Sequence, residues 1–334
     1  MTDDKIARAP KADLHVHLEG TIEPEMMFRL AARNGITLPY ADVAALRAAY
    51  DFPDLGAFLA VFYDGLRVMR TQADFYDVTY AFLERSARDN VVYTEIHFSP
   101  QSHIERGVAW AEMMDGLLGA MADGLRDFGV TAKPILGLQR HRSEDEALTI
   151  IDEAKPYQSD IVALGLGGAE RGNPPSKFTR AYAAARAMGW ACTCHAGEEG
   201  PAEYVTEALD VLGVDRIDHG VRAANDPALT ARLAHDRVPM TVCPYSNLRL
   251  KVDATLSASA LPTLLAAGCN VSMNTDDPSY FGAYLTQNMQ DSRAALGLGD
   301  SQMFEVIGNG FRGAFCDPAT RAGYMNRLAK NWCG

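Results

Sequence analysis

Short runs of apolar or β-branched residues recur along the chain, and each one ends in polar or glycine-containing sequence. Most of these runs are followed by an amphipathic, Ala/Leu-rich stretch whose apolar residues recur with the period of a helix. The runs predict strands at residues 12–17, 91–98, 133–139, 161–168, 191–195, 216–219, 239–244 and 270–276. The stretches between them predict helices at residues 74–88, 110–126, 143–155, 178–188, 202–212, 227–235 and 258–267.

Strands that alternate with helices are typical of an α/β protein with a parallel sheet, and eight such units favour a (β/α)8 TIM barrel. A doubly wound open sheet is the alternative, because periodicity alone does not distinguish the two folds. No low-complexity tract or Pro/Gly/Ser linker divides the sequence, so we expect a single catalytic domain over residues 1–334.

The segment between the first strand and the helix before the second strand, residues 21–70, is too long for an ordinary loop of such a barrel. We expect extra helices here that cap the C-terminal mouth of the barrel. Phe58, Phe62 and Tyr63 would then offer apolar surface to the mouth. The alternative is that these aromatic residues are only the packing face of a surface helix.

The charge balance limits the partners of the protein. The chain has 43 acidic and 31 basic residues, a formal net charge of −12. Such a charge repels nucleic-acid phosphates and anionic lipid head groups, so neither nucleic acid nor membrane is an expected partner. The N-terminal sequence has no apolar run of signal-peptide length, and no later stretch approaches the roughly 20 apolar residues of a spanning helix. We therefore expect a soluble, cytoplasmic protein.

The six cysteines are scattered without the spacing of a disulfide framework or of a Cys-x-x-Cys metal site. Cys192 and Cys194 share one face of their predicted strand, opposite Thr193 and His195. We expect free thiols, with this pair packed outward against helices.

The end of the first strand carries the first candidate metal ligands. Alternation along the strand places His15 and His17 on one face, which lets two imidazoles reach one metal ion. A His-x-His pair alone is a weak signal. Its position at the C-terminal end of strand 1 strengthens the prediction, because barrel enzymes build their sites at this end.

Three further strand ends carry side chains that bind metals or exchange protons. The fifth run ends at His195 with Glu198 just beyond, the sixth ends at His219, and the eighth ends at Asp276 and Asp277. Because the carboxyl ends of the strands meet at one end of a barrel, we expect these side chains to converge.

Three imidazoles and one carboxylate, from His15, His17, His195 and Asp276, suit Zn²⁺ with water in the remaining position. Fe²⁺ and Mn²⁺ are alternatives, because imidazole selects weakly among these ions. Binuclear barrel sites often use a modified lysine on strand 4 as a bridge, and residues 161–168 contain no lysine. We therefore predict one metal ion, which would lower the pKa of its bound water towards roughly 7.

The remaining polar residues at the strand ends suit proton transfer and substrate binding. Glu198 lies close enough to the metal to reach a substrate but is poorly placed as a ligand, so we assign it as a general acid. His219 can orient or deprotonate the metal-bound water. Asp277 can hydrogen-bond a nitrogen or N–H group of the substrate.

The sequence resembles the adenosine/adenine deaminases of the amidohydrolase superfamily over essentially its whole length. The matching blocks occur in family order: Leu14-His-Val-His-Leu-Glu-Gly20, His195-Ala-Gly-Glu198, Asp218-His-Gly220, Cys243-Pro-Tyr-Ser-Asn247 and Asn274-Thr-Asp-Asp-Pro278. The resemblance implies zinc bound by His15, His17, His195 and Asp276. It also implies that Glu198 protonates purine N1 during attack at C6, that His219 assists the hydroxide and that Asp277 meets N7.

Details of the resemblance favour adenine over a nucleoside. Glu19 stands where nucleoside deaminases usually carry an aspartate that meets the ribose, and the blocks at 200–204 and 277–282 are similar to the adenine deaminase branch. Gly168 stands where the family makes a backbone contact to purine N3. Gly168-Ala169-Glu170 replaces the usual Ser-Ser-Glu, and Lys251 replaces a usual cysteine, so adenosine and N6- or 2-substituted adenines are alternative substrates.

Two other kinds of function compete with purine deamination. One is a metal-dependent amide or ester hydrolase, and the other is a non-catalytic purine-binding protein on the same fold. Among the other histidines, His97 and His141 are candidates to line the pocket. We interpret His103 and His235 as ordinary surface or helix residues.

Overall fold

Eight parallel strands in sequence order form the centre of the computed structural model, which describes residues 5–333. They are β1 (Lys11–His17), β2 (Val91–Phe98), β3 (Thr131–Gln139), β4 (Ala163–Gly167), β5 (Ala191–Ala196), β6 (Arg216–His219), β7 (Pro239–Val242) and β8 (Asn270–Met273).

The two outermost strands of this order meet just beyond β8. His17 N donates to Asp276 O at 2.9 Å, and Asp276 N donates to His15 O at 2.8 Å. An open sheet would leave β1 and the end of β8 apart on opposite edges. The predicted (β/α)8 barrel is therefore confirmed, and the doubly wound alternative is wrong.

Helices surround the barrel. They are α1 (Lys5–Arg8), α2 (Pro24–Arg33), α3 (Val43–Ala48), α4 (Leu55–Gly65), α5 (Gln72–Arg88), α6 (Pro100–Ile104), α7 (Trp110–Phe128), α8 (Glu144–Glu153), α9 (Thr179–Ala187), α10 (Ala202–Glu207), α11 (Pro227–His235), α12 (Pro244–Arg249), α13 (Leu261–Ala266), α14 (Pro278–Phe281), α15 (Leu285–Leu296), α16 (Asp300–Gly313) and α17 (Pro318–Cys333).

Each of the predicted helices has a counterpart, with some differences at the ends. The helix predicted at 202–212 is α10 followed by a π-helical turn, Ala208–Leu212, which ends at left-handed Gly213. The helix predicted at 258–267 begins later, at Leu261, because a 3-10 turn over Leu256–Ala258 precedes it. The four helices after β8 lie outside the sequence prediction, and α16 packs on β8 through Asn309 Nδ2, which donates to Val271 O at 3.0 Å.

The long segment after β1 forms α2, α3 and α4 as expected for a helical cap. Asp42 and Asp54 cap the N-termini of α3 and α4, where their side chains accept the backbone N–H groups of Ala45 and Ala57. On α4, Phe58 and Phe62 are buried against α14 rather than exposed. Among the helices within residues 5–333, none is long and apolar enough to cross a membrane.

The side chains of β5 point alternately outward and inward, as predicted from the sequence. Cys192 and Cys194 are buried on the side of α9, where Arg186 Nη1 lies 4.0 Å from Cys192 Sγ. His195 lies on the opposite, inner face. The five cysteines whose side chains the structure describes are free thiols, and Cys333 lies outside that set.

Candidate active site

The carboxyl ends of β1, β5 and β8 bring three imidazoles and a carboxylate into one cluster. His15 Nε2 and His17 Nε2 lie 3.0 Å and 3.1 Å from His195 Nε2. Asp276 Oδ1 lies 3.5 Å from His15 Nε2 and 3.3 Å from His17 Nε2. The four residues predicted to bind the metal therefore point their donor atoms at a common centre.

Four of the separations between these donor atoms are those of neighbouring ligands around one metal ion. With zinc–nitrogen bonds of about 2.0–2.1 Å, neighbouring ligand atoms lie about 3.3 Å apart. The separations in the cluster, 3.0–3.5 Å, are close to this value. The residues present thus form a binding site for a divalent metal ion.

His219, at the end of β6, occupies a different position in the cluster. Its Nε2 lies 3.8 Å from Asp276 Oδ2 and 3.6 Å from Glu198 Oε2. It stands within metal-binding reach of His15, His195 and Asp276, but it also faces the carboxyl group of Glu198. This position suits a side chain that works between the metal and the substrate.

A buried layer below the cluster orients two of the histidines. His15 Nδ1 lies 3.0 Å from Thr241 Oγ1, which donates to Asp218 Oδ1 at 2.9 Å. The other oxygen of Asp218 lies 3.4 Å from His195 Nδ1. Outer groups of this kind fix the ring orientation and leave Nε2 free for a metal ion. The sequence analysis assigned no role to Asp218 or Thr241, although Asp218 is part of the block that contains His219.

The carboxylate of Asp276 is held ionised by the cluster. Burial acts to raise the pKa of this group, but the nearby imidazoles of His15, His17 and His219 outweigh burial and bring the pKa well below its usual value. An ionised carboxylate is the form of this side chain that binds a divalent cation.

Two other buried carboxyl groups behave in the opposite way. Burial raises the pKa of Glu198 and of Asp277 well above the ordinary range, and the negative charge of Asp276 raises both further. Burial also lowers the pKa of His219, to about 3. Two carboxyl groups with raised pKa values thus lie beside an imidazole with a lowered pKa, an arrangement found where side chains exchange protons.

The backbone at two of these positions is unusual. His219 and Asp276 both have a φ of +63°, a left-handed conformation that costs non-glycine residues about 1–3 kcal/mol. In both cases the turn directs the side chain into the cluster at the point where the strand ends. Such strain is concentrated at functional sites in proteins.

A cavity lies above the cluster. One wall is polar and includes His17, His195, Glu198, His219, Asp276 and Asp277. The opposite wall is apolar and includes Leu55, Phe58, Leu59, Phe62, Tyr63, Leu138 and Leu250. A flat, mostly apolar ring with hydrogen-bonding nitrogens on its edge matches this division. The prediction that Phe58, Phe62 and Tyr63 face the mouth is confirmed.

Two predicted substrate contacts differ in their placement. Gly168 lines the cavity with a φ of +90°, which favours glycine. Glu19 is fully buried outside this lining, where its Oε1 accepts from Ser99 N at 2.9 Å and lies 2.9 Å from His103 Nε2. Contact between either residue and a substrate stays a prediction. Lys251 extends from the turn after cavity-lining Leu250, with its Nζ 3.9 Å from Asp51.

The remaining histidines divide between the site and the surface. His97 is buried and lines the cavity, as proposed from the sequence. His141 lines an adjacent cleft beside Tyr63 and Gln139. His235 is exposed at the end of α11, as expected. His103 lies on helix α6, one of the two alternatives expected for it, but its side chain is fully buried against Glu19 and is not at the surface.

A barrel with a histidine–aspartate cluster and two further buried carboxyl groups at its carboxyl end is typical of metal-dependent hydrolases. Comparison with known proteins places the chain within this class. The family model described as adenosine deaminase matches residues 10–331, and the chain belongs to this family.

Similar proteins agree with the family assignment. The chain is 49% identical to an adenine deaminase of Albidiferax ferrireducens over 320 residues, which covers 96% of this chain and 93% of that protein. A crystal structure of an adenine deaminase from Arthrobacter aurescens matches with a TM-score of 0.94 and 44% identity, covering 96% of this chain and 98% of the other. An amidohydrolase from Burkholderia ambifaria, solved with bound Zn, matches with a TM-score of 0.92 and 28% identity, covering 100% of this chain and 94% of the other.

Proposed function

We propose that this protein is a zinc-dependent hydrolase that deaminates a 6-aminopurine, with adenine as the preferred substrate and hypoxanthine and ammonia as products. The observation that carries the proposal is the position of two buried carboxyl groups, Glu198 and Asp277, in the wall of the cavity that also contains the histidine–aspartate cluster. The relatives named above as adenine deaminases, at 44–49% identity, support the choice of adenine.

His15, His17, His195 and Asp276 are the residues that would hold the metal. Their donor spacing suits Zn²⁺, and the related amidohydrolase with bound Zn supports this ion over Fe²⁺ or Mn²⁺. A divalent cation bound here supplies Lewis acidity and activates a water molecule for attack at neutral pH.

Glu198 supplies the proton that makes the ring electrophilic. Its carboxylic acid donates to purine N1, so the C6–N1 double bond becomes a single bond as water adds to C6. The C6–N bond to the amino group then breaks: the amino group takes one proton of the added water and leaves as ammonia, the other water proton returns to Glu198, and the proton delivered to N1 stays on hypoxanthine. His219, neutral and 3.6 Å from Glu198, accepts a hydrogen bond from the attacking water and holds it below C6.

Asp277 and Gly168 would position the opposite edges of the ring. Burial raises the pKa of the Asp277 carboxyl group, which favours the protonated form that would donate to N7, a pure acceptor in the 9H form of adenine. The backbone at Gly168 is available for N3. The apolar wall on α4 covers the face of the ring and excludes water from the reacting carbon.

Ammonia release from a substrate panel tests the proposal. The zinc-loaded protein is incubated with adenine, adenosine, N6-methyladenine and 2-aminoadenine, and ammonia and purine products are measured. We expect adenine to give the highest kcat/KM. Absence of ammonia from every aminopurine, with one zinc ion bound per chain, would refute deamination, and turnover of amides or esters instead would favour the alternative hydrolase. A purine-binding protein without activity would bind adenine and release no product.

A further inference from the structure

One buried carboxylate outside the cavity holds the loop that carries Glu198. Glu170, three residues after β4, has no exposed surface. Its Oε1 accepts the N–H of Gly197 at 2.7 Å, and its Oε2 accepts the N–H groups of Glu198, Glu199 and Gly200 at 3.0, 2.8 and 2.6 Å. Four consecutive amides of loop 197–200 therefore point at one side chain.

The loop has little room to move around this carboxylate. A Cβ atom on Gly200 would lie 2.7 Å from Glu170 Cδ, so the backbone passes closer than a side chain would allow. Gly197 has a φ of +70°, which turns its N–H inward. On the other side, the carbonyl of Glu198 accepts Arg222 Nε at 3.2 Å. The peptide groups on both sides of Glu198 are thus fixed.

A buried arginine links the same carboxylate to the metal-binding strand. Arg140 Nη1 donates to His195 O at 2.7 Å and lies 3.9 Å from Glu170 Oε1. Arg140 Nε also donates to Asn173 O at 2.9 Å, in the turn that follows Glu170. The ends of β3, β4 and β5 are therefore joined around one ion pair, and the loop with Glu198 starts from this junction.

We propose that Glu170 is a positioning residue for the reaction: its carboxylate fixes loop 197–200 and thereby sets the distance from the Glu198 carboxyl group to purine N1. This inference rests on the proposed role of Glu198. Four amide donors converging on one anion form a nest that a neutral group fills poorly. A shift of about 1 Å in a catalytic group can lower turnover about 100-fold, so the accuracy of this support affects rate more than binding.

Glu170→Gln tests the idea because it keeps the size of the side chain and removes the charge. Whichever way the carboxamide turns, its NH₂ group faces at least one backbone N–H that Glu170 accepts. We expect kcat for adenine to fall about 10–100-fold and KM to change less than about threefold, with one metal ion still bound. Amide hydrogen exchange of residues 197–200 should become faster in the same variant. Glu170→Ala should lose more turnover than Glu170→Gln.

Glu199→Gln is the matched control, because this side chain lies on the same loop and points towards exposed Arg171 rather than into the cavity. It should retain the kcat and amide exchange of the unmodified protein. Unchanged kcat in Glu170→Gln, or a loss of kcat that only follows loss of metal or of folded protein, would overturn the inference. An unmodified protein that deaminates no aminopurine would instead refute the proposed function, whatever the exchange rates of the loop.

Discussion

The lower part of the barrel interior pairs buried carboxylates with an arginine, whereas the wall of the cavity above it brings carboxyl groups and imidazoles together. Below the site, Arg216 donates to Glu95 and to Leu14 O, and its Nε lies 3.4 Å from Asp218 Oδ1. Glu95 also accepts Tyr93 OH at 2.9 Å and the backbone N–H of Phe315. Each charge in this layer has an opposite charge or a hydrogen-bond partner.

Several buried polar atoms at the mouth lack a hydrogen-bond partner among the described residues, as does Asp218 Oδ2 in the layer below. Asp277 Oδ1, His219 Nδ1, His97 Nε2 and Glu19 Oε2 are buried without a hydrogen bond to any residue that the structure describes. An unpaired buried polar atom costs about 1–3 kcal/mol, so stability alone does not favour this arrangement. We infer that Arg216 and its partners stabilise the fold, and that unpartnered groups at the mouth, such as Asp277 and His219, are placed to bind a ligand.

The largest expected effect is on turnover at the mouth. Glu198→Gln removes the proton that N1 must receive, and we expect kcat for adenine to fall by about 10²–10⁴. Steady-state ammonia release at matched metal content measures this. Retention of more than a tenth of the activity would show that another group supplies the proton.

The next largest effect is on stability in the lower layer. Arg216→Met leaves Glu95 and Asp218 as uncompensated buried charges, which is expected to lower the free energy of unfolding by about 3–5 kcal/mol. Urea unfolding followed by circular dichroism gives the value. Adding Glu95→Gln to the same chain should recover part of the loss, and a loss below about 1 kcal/mol in the single variant would contradict the assignment of this layer to the fold.

A smaller effect on catalysis is expected at Asp277. Asp277→Asn replaces the carboxyl group with a carboxamide, a weaker hydrogen-bond donor to N7, and we expect kcat/KM for adenine to fall about 10–100-fold. The comparison of adenine with 7-deazaadenine, which has no N7 acceptor, checks the contact. If Asp277 meets N7, the variant and the unmodified protein should differ little on the deaza substrate, and an undiminished difference would place Asp277 elsewhere.

The smallest effect concerns Glu19, which stands at the border of the two regions. Because one of its oxygens is paired with His103 and Ser99, we expect Glu19→Gln to lower the free energy of unfolding by about 1–2 kcal/mol and to leave KM for adenine within about twofold. Urea unfolding and initial rates on the same preparation measure both. A large rise in KM with unchanged stability would instead support the substrate contact predicted from the sequence.

Much of this organisation could be predicted from the sequence. The apolar runs gave the strand order, and polar residues at the strand ends indicated the cluster, because period-two alternation and parallel topology are local rules. The strand at 270–276 ends earlier than predicted, since left-handed Asp276 closes the barrel by pairing with β1. Helix α16 contains Gly308, Gly310 and Gly313, whose low helix propensity hides this helix in the sequence pattern. Packing of α16 against β8 stabilises the helix in the folded protein.

Contacts between distant parts of the chain could not be predicted. Glu170 accepts amides 27–30 residues away, and His103 is buried by a carboxylate 84 residues away. No pattern in the neighbouring residues reveals such a partner. The pairing of Glu95 with Arg216, 121 residues apart, is of the same kind.

The unfolding free energy of metal-loaded Glu198→Gln tests the central claim most directly. If the carboxyl groups at the mouth are arranged for chemistry, the inactive variant should be as stable as the unmodified protein or more stable, because a glutamine replaces a protonated acid of the same shape. A loss of about 3–5 kcal/mol, equal to that expected for Arg216→Met, would contradict the account and assign Glu198 to the fold.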